Sequence, residues 1–196
     1  MVRFEGAVRS LPETPRADTG RGITVWLTGL PSAGKSTIAQ GAAERLRSSG
    51  RRVEVLDGDE LRRSLTQDLG FSKGDRIENV RRIGFVARLL ARHGVTVLVP
   101  VIAPFAESRS DVRAGHEADD LGFVEIYVAT PVDVCAARDV KGFYAEQRAG
   151  RLTGLTGIDD PYEPPPDPEL VLPAHLQSAA ESVEALCAFL AGRPGR

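Results

Sequence analysis

Cysteine, histidine and long apolar runs are all scarce in this chain, and each scarcity closes off a class of protein. Cys135 and Cys187 are the only cysteines in 196 residues. Without a C-x-x-C pair or nearby Cys/His partners, they exclude a disulfide scaffold and a thiolate metal site, and they fit a reduced, cytoplasmic setting. His93, His116 and His175 are scattered without ligand spacing and read as structural. No apolar stretch approaches the roughly 20 residues that span a bilayer. The N-terminus carries Arg3, Glu5 and Arg9 in place of an apolar signal region, so neither a signal peptide nor a membrane association is expected. An excess of one charge is missing too. The formal net charge is -2 and the pI near 6.0, which gives no pull toward nucleic acid or anionic lipid.

What is there is a 42% hydrophobic chain long enough for one domain with a real core. Residues 1–21 hold Pro12, Pro15, Gly20 and the arginines 3, 9, 16 and 21 without periodicity, and read as a flexible arm. Residues 22–196 are expected to form the single domain. Within it, Gly29-Leu30-Pro31-Ser32-Ala33-Gly34-Lys35-Ser36-Thr37 fits the P-loop pattern G-x-x-x-x-G-K-[ST]. It follows an apolar run, Ile23–Thr28, that reads as a buried strand, and it opens into a helical pattern, the context that confirms such a motif. The glycines let successive N–H groups turn toward phosphate oxygens. Lys35 is placed to reach the β- and γ-phosphates, and the Ser36 hydroxyl suits Mg²⁺. The motif therefore predicts a site for a nucleoside triphosphate with Mg²⁺.

Strand and helix patterns alternate along the rest of the chain. Ile38, Ala42 and Leu46 mark a helix ended by Gly50, and residues 52–56 read as a strand. Ile77, Val80, Ile83, Ala87 and Leu90 form a helical stripe over 76–92, and the runs 95–99 and 123–128 are as apolar as central parallel strands. Thr130 and Pro131 read as N-cap and first helical position of another helix. Residues 170–172 form a weaker last strand, and Ser178 with Glu181 a capping box before the last helix. The predicted fold is α/β: a doubly wound, mainly parallel five-stranded sheet with helices on both faces. The segment 141–168, with four glycines and five prolines, reads as a lid.

Beside the P-loop, three groups carry chemistry. In Asp57-Gly58-Asp59 the glycine allows a sharp turn, so one carboxylate can support Mg²⁺ through water and the other can meet an acceptor hydroxyl. Arg62 and Arg76 flank Phe71, a set suited to a planar base with an anionic tail, with Phe71 as a plain core residue the competing reading. Arg138, Lys141, Arg148 and Arg151 lie in or near the lid, where basic groups can close over phosphates.

With these residues the chain resembles the adenylylsulfate (APS) kinase family, from about Gly22 to Leu190. The matches are the P-loop, Asp57-Gly58-Asp59-x-x-Arg62, Leu69-Gly70-Phe71-Ser72, Asp75-Arg76 and Asn79-Val80-Arg81-Arg82. Further matches are Cys135-x-x-Arg138-Asp139-Val140-Lys141-Gly142, Thr156-Gly157-Ile158-Asp159, Pro161-Tyr162-Glu163 and Pro168-Glu169-Leu170. The resemblance implies transfer of the ATP γ-phosphate to the 3′-hydroxyl of APS, giving PAPS. It also implies an APS site lined by Asp59, Arg62, Phe71, Arg76, Asn79, Ile102, Lys141, Leu155 and Thr156, with Cys135 and Arg138 near the ATP base. The expected partners are these small molecules, and a homodimer is compatible with the reading. Three positions depart from the family pattern: Ser32 for a commoner glycine, Glu60 for an asparagine, and Ala103 for a serine associated with a phosphorylated intermediate. Ala103 leaves two routes, a substitute nucleophile such as Ser108 or direct in-line transfer, and direct transfer is the expected one because the P-loop, Mg²⁺ and lid arginines already supply the positioning and charge it needs. Three readings compete: a P-loop kinase for another small hydroxyl acceptor, a non-catalytic relative, and a nucleotide switch. The switch lacks an Asn-Lys-x-Asp element after Asp139-Val140-Lys141-Gly142.

Overall fold

The computed structural model describes residues 21–193, so the expected arm lies, but for Arg21, outside the described residues. The first strand, β1 (Ile23–Thr28), is buried along nearly its whole length because both of its faces are covered. Val25 and Leu27 pack with Ile38, Ala39 and Ala42 of helix α1 (Lys35–Ser48) and with Leu186 and Leu190 of the final helix. Trp26 points the other way, into a second cluster with Val80 and Ile83 of α3 (Lys73–Arg92) and Val112 of α4 (Ala106–Ala118). That alternation is the period-2 pleat of a strand between two helical layers.

Four more strands flank it: β2 (Val53–Val55), β3 (Thr96–Pro100), β4 (Gly122–Val128) and β5 (Leu170–Leu172). The sheet order is β2-β3-β1-β4-β5, and every pairing is parallel. From β1 the chain crosses to the edge strand β2 and returns to β3, and from β3 it passes to the other side, to β4 and β5. The connections thus leave the neighbours β1 and β3 in opposite directions, and a crevice opens at their carboxyl ends, where a doubly wound sheet takes its ligand. The remaining helices are α2 (Gly58–Arg62), α5 (Val132–Arg138), α6 (Phe143–Arg148) and α7 (Ala179–Ala191). Among the described residues no helix is long and apolar enough to cross a membrane.

The expected elements are present, with four informative differences. Helix α3 begins at Lys73, earlier than its apolar stripe, because Ser72 and Asp75 form a capping box at its start. Thr130 does not cap α5: its hydroxyl donates to the Ala33 carbonyl at 2.9 Å and so serves the P-loop. The lid contains a helix of its own, α6, whose first N–H groups, on Tyr144 and Ala145, donate to the Asp139 carboxylate. Helix α4 carries little apolar signal, since Ser108, Arg109 and His116 make up most of its buried face.

Candidate active site

The turn after β1 is shaped by backbone conformation. Gly29 has φ +154° and lies against the Val128 carbonyl, so close that a β-carbon would sit 2.7 Å from that oxygen. Gly34 takes φ +108°. Ser32, at φ +60°, occupies the left-handed region that glycine enters freely, which gives the family's usual glycine there a physical reason. The loop's carbonyls are held from outside. Pro31 accepts from the Tyr144 hydroxyl at 3.1 Å, and Ala33 accepts from Thr130 and, at 3.3 Å, from Arg138. Among the described residues no acceptor engages the backbone N–H groups of Gly34, Lys35, Ser36 and Thr37. These donors, at the positive end of a 14-residue helix, form a nest for phosphate oxygens.

Lys35 lies under this nest, its ammonium donating to the carbonyls of Gly29 at 2.9 Å and Leu30 at 2.8 Å. Burial lowers its pKa to about 8, against the opposing pull of nearby Cys135, Asp59 and Asp57. A phosphate anion would supply the counter-charge that burial withholds.

The two carboxylates of 57–59 do face different ways. Asp57 accepts from the Ser36 hydroxyl at 2.8 Å with one oxygen and from the Asp59 N–H at 2.9 Å with the other. Asp59 instead pairs with Lys141, reaching across from the lid. The Ser36 hydroxyl and the Asp57 carboxylate thus stand together as hard oxygen donors, a set that fits Mg²⁺. Among the described residues no cluster of three or more His, Cys, Asp or Glu side chains competes for a metal.

Opposite the P-loop the wall is built from side chains. Phe71 is 64% exposed, which excludes the plain core reading. The Arg62 guanidinium lies 4.5 Å from its ring centroid and the Arg76 guanidinium 5.8 Å. Arg62 is steadied by the Gly70 carbonyl at 3.1 Å, and burial and the neighbouring Arg76 lower its pKa. Arg76 is more committed. Its Nε donates to the Phe71 carbonyl, Nη1 to the Thr156 hydroxyl, and Nη2 to the Gly154 carbonyl and the Asp160 carboxylate. A guanidinium has five N–H groups, so one is left for a ligand, and Arg76 works mainly as a tether between α3 and the lid. Asn79 has a buried side-chain oxygen with no partner among the described residues, an unusual state for a polar atom at a cleft wall.

These elements enclose a cleft of about 780 Å³. Of the residues singled out from the sequence, it brings together Pro31, Ser32, Ala33, Gly34, Lys35, Ser36, Thr37, Asp59, Arg62, Phe71, Arg76, Asn79, Ile102, Arg138 and Lys141. Gly29, Leu155, Thr156 and Cys135 stand behind the lining, and Leu30 faces a neighbouring cleft shared with Gly157. Thr156 and Leu155 are buried, and Thr156 reaches the cleft only through Arg76. Cys135 is 0% exposed, packed in the core below the P-loop, and burial pushes its thiol pKa up. Asp57 joins the site through its bond to Ser36, and its place beside Asp59 is the signal for it in the sequence. Sequence reasoning misses Val140, Phe143, Ala174 and Gln177, which line the cleft through α5–α6 and the approach to α7. The rule that ligands sit at the carboxyl ends of strands pointed to the residues after β5.

A parallel sheet whose first strand ends in a phosphate nest, with a lid that brings Lys141 to it and a second, aromatic wall, defines a P-loop kinase. Residues 21–173 match the family described as Adenylylsulphate kinase, and the chain belongs to that family. It is 51% identical over 173 residues to an adenylyl-sulfate kinase of Synechococcus sp. (strain JA-2-3B'a(2-13)), covering 88% of this chain and 97% of that one. An adenylyl-sulfate kinase of Myxococcus xanthus (strain DK1622) is 52% identical over 164 residues, 84% of this chain and 86% of the relative. Among solved structures, the Mycobacterium tuberculosis APS kinase CysC in complex with AMPPNP and APS superimposes with a TM-score of 0.85. It is 45% identical to this chain, covering 88% of it and 99% of that chain.

Proposed function

We propose that this protein transfers the γ-phosphate of ATP to the 3′-hydroxyl of adenosine 5′-phosphosulfate, giving PAPS and ADP for sulfate activation. The observation that carries the reading is the bipartite cleft. A backbone nest and Lys35 stand at one end, an exposed Phe71 with Arg62 at the other, and Asp59 lies between them. ATP phosphates fit the first end, and a base with an anionic tail fits the second. The likeness to a kinase holding both an ATP analogue and APS supports the same division.

In this reading Lys35 and the N–H groups of the nest hold the γ-phosphate and compensate the charge that spreads over its oxygens. Asp59 aligns the acceptor hydroxyl and takes its proton late, after exchanging its contact with Lys141 for one with the substrate. Lys141 is then released toward the phosphates. Ser36 and Asp57 supply the oxygens for the Mg²⁺ that accompanies ATP; such an ion, when bound, neutralises charge on the β- and γ-phosphate oxygens. Arg138, tied to the carbonyls of Ala33 at the P-loop and, at 2.7 Å, Ala174, would meet the adenine of ATP. Both cysteines are free, which fits a cytoplasmic enzyme.

Transfer is direct. The Ala103 side chain is a methyl group with no hydroxyl to accept phosphate, and Ser108 is buried with its hydroxyl donating to the Phe105 carbonyl at 2.9 Å, away from the cleft lining. An assay of ATP consumption with APS, adenosine, AMP and a shikimate-like acceptor tests the reading. Turnover is expected with APS alone. Equal turnover with another acceptor overturns the assignment, and hydrolysis without any acceptor points to a nucleotide switch.

A further inference from the structure

The connection from β3 to α4 supplies Ile102, Ala103 and Pro104 to the cleft wall, yet the groups that fix its shape lie outside the cleft. Ala103 has φ +43°, a conformation that an alanine keeps only where its surroundings impose it. Two buried donors do so: the Thr28 hydroxyl gives a hydrogen bond to the Ile102 carbonyl at 2.6 Å, and Arg109 Nη1 gives one to the Ala103 carbonyl at 2.7 Å.

Arg109 does more than this. It is 2% exposed, its Nε donates to the Glu125 carboxylate on β4 at 2.5 Å, and its Nη2 donates to the Glu163 carbonyl at 2.8 Å. Glu163 lies at the far end of the lid segment. Its N–H donates to the Pro104 carbonyl at 2.8 Å, and its carboxylate accepts from the Ala106 N–H at 2.7 Å. One guanidinium therefore joins three segments: the cleft wall, the base of the lid and the sheet. Burying a charge is costly, and an apolar side chain would fill the same volume without that cost. A planar fork that reaches two carbonyls and a carboxylate at fixed angles offers what no apolar side chain can.

We propose that Arg109 is a positioning residue for the acceptor. It touches neither substrate, and it sets the acceptor side of the cleft by holding the Ala103 and Glu163 carbonyls in register. The proposal rests on the acceptor reading given above. ATP is held by the P-loop, whose own clamps are Thr130, Tyr144 and Arg138 and do not include Arg109, so the effect of loosening Arg109 falls on one substrate. A displacement of about 1 Å at a reacting group is enough to cost 10²-fold in rate.

Two variants test this. Arg109→Leu with Glu125→Leu removes both charges, leaves no orphaned carboxylate, and keeps Arg113 on Glu169, its bidentate partner. Arg109→Lys keeps the charge but loses the fork. In both, KM for APS should rise about tenfold or more while KM for ATP stays within about twofold. Amide exchange at Ala106 and Glu163 should quicken in both, while the Ile38 amide, bonded to Gly34, keeps its rate. Equal rises in both KM values, or no change in either, overturn the proposal. So does collapse of the fold in both variants, which would make Arg109 a core residue only. If the wild-type protein does not use APS, the acceptor reading fails by itself. Amide exchange then decides the tie, and unchanged exchange in Arg109→Lys overturns it.

Discussion

The two ends of the cleft are built from different materials. The donor end is backbone: N–H groups on a loop clamped between β1 and α1, whose underside is the fully buried cluster of Val25, Leu27, Ile38 and Ala42. The acceptor end is side chain: Arg62 from a five-residue helix, Phe71 from a loop, Asn79 from α3 and Lys141 from the lid. Its members are exposed or partly exposed and lightly held: Arg62 donates to the nearby Gly70 carbonyl, and Lys141 reaches from the lid to Asp59. A phosphate is the same in every nucleotide, so a rigid backbone cradle serves it. A particular acceptor needs groups that can be chosen one at a time, on segments that can move to admit it.

The largest expected effect is at the donor end. Lys35→Ala should cost at least about 10²-fold in kcat/KM, the scale of about 3 kcal/mol for a lost charge-stabilising donor. Its circular dichroism and melting behaviour should stay close to wild type. Near-normal turnover in this variant would remove the P-loop lysine from the chemistry and erase the contrast between the two ends.

Asp59 lies where the ends meet. Asp59→Asn should lower kcat by about 10²-fold with little change in ATP affinity, because alignment and late proton removal are both lost. Loss of ATP binding with kcat preserved at saturation would instead assign Asp59 to the nucleotide.

Smaller effects, confined to one substrate, should come from the acceptor wall. Phe71→Ala removes a stacking face, worth about 1–3 kcal/mol per base where aromatic stacking has been measured. KM for APS should therefore rise about tenfold, with KM for ATP nearly unchanged. Arg76→Ala should behave differently, because it frees Thr156, Gly154 and Asp160 at once. A lower melting temperature and a rise in KM for both substrates are expected, and a clean APS-only effect would restore Arg76 to the clamp.

The smallest effect is one of pH. Burial holds Lys35 at about 8, below its ordinary 10.5. Between these values unfolding takes up a proton on the amine, so the stability of the nucleotide-free protein should rise with pH across that window. Lys35→Met should flatten this rise when denaturant midpoints are compared at pH 8 and pH 10. An unchanged slope would mean that the two carbonyls around the ammonium offset its burial.

The contrast between the ends also explains what the sequence could convey. A backbone cradle needs glycines at fixed spacing next to a strand and a helix, and that is legible in Gly29, Gly34, Lys35 and Ser36 at once. The acceptor wall has no such spacing; Phe71 and the arginines beside it form only a suggestive set, and the rest entered through family resemblance. Arg109 left no signal, since a lone arginine in a helix reads as solvated until the fold buries it. The same holds for Thr130, whose place before Pro131 fits a helix cap while its hydroxyl holds the P-loop. Cys135 shows the limit of carrying a motif over: it matches by position yet lies in the core, behind the lining.

The most direct test of the central claim is a single turnover with enzyme in excess over [γ-³²P]ATP, quenched on the millisecond scale with and without APS. Passage from the P-loop to a hydroxyl held at the Phe71 wall, in one ternary complex, predicts label in the 3′-phosphate of PAPS from the first time points. It also predicts no labelled protein when APS is withheld. Label that appears first on the protein, and moves to PAPS at a competent rate when APS is added, would contradict the account.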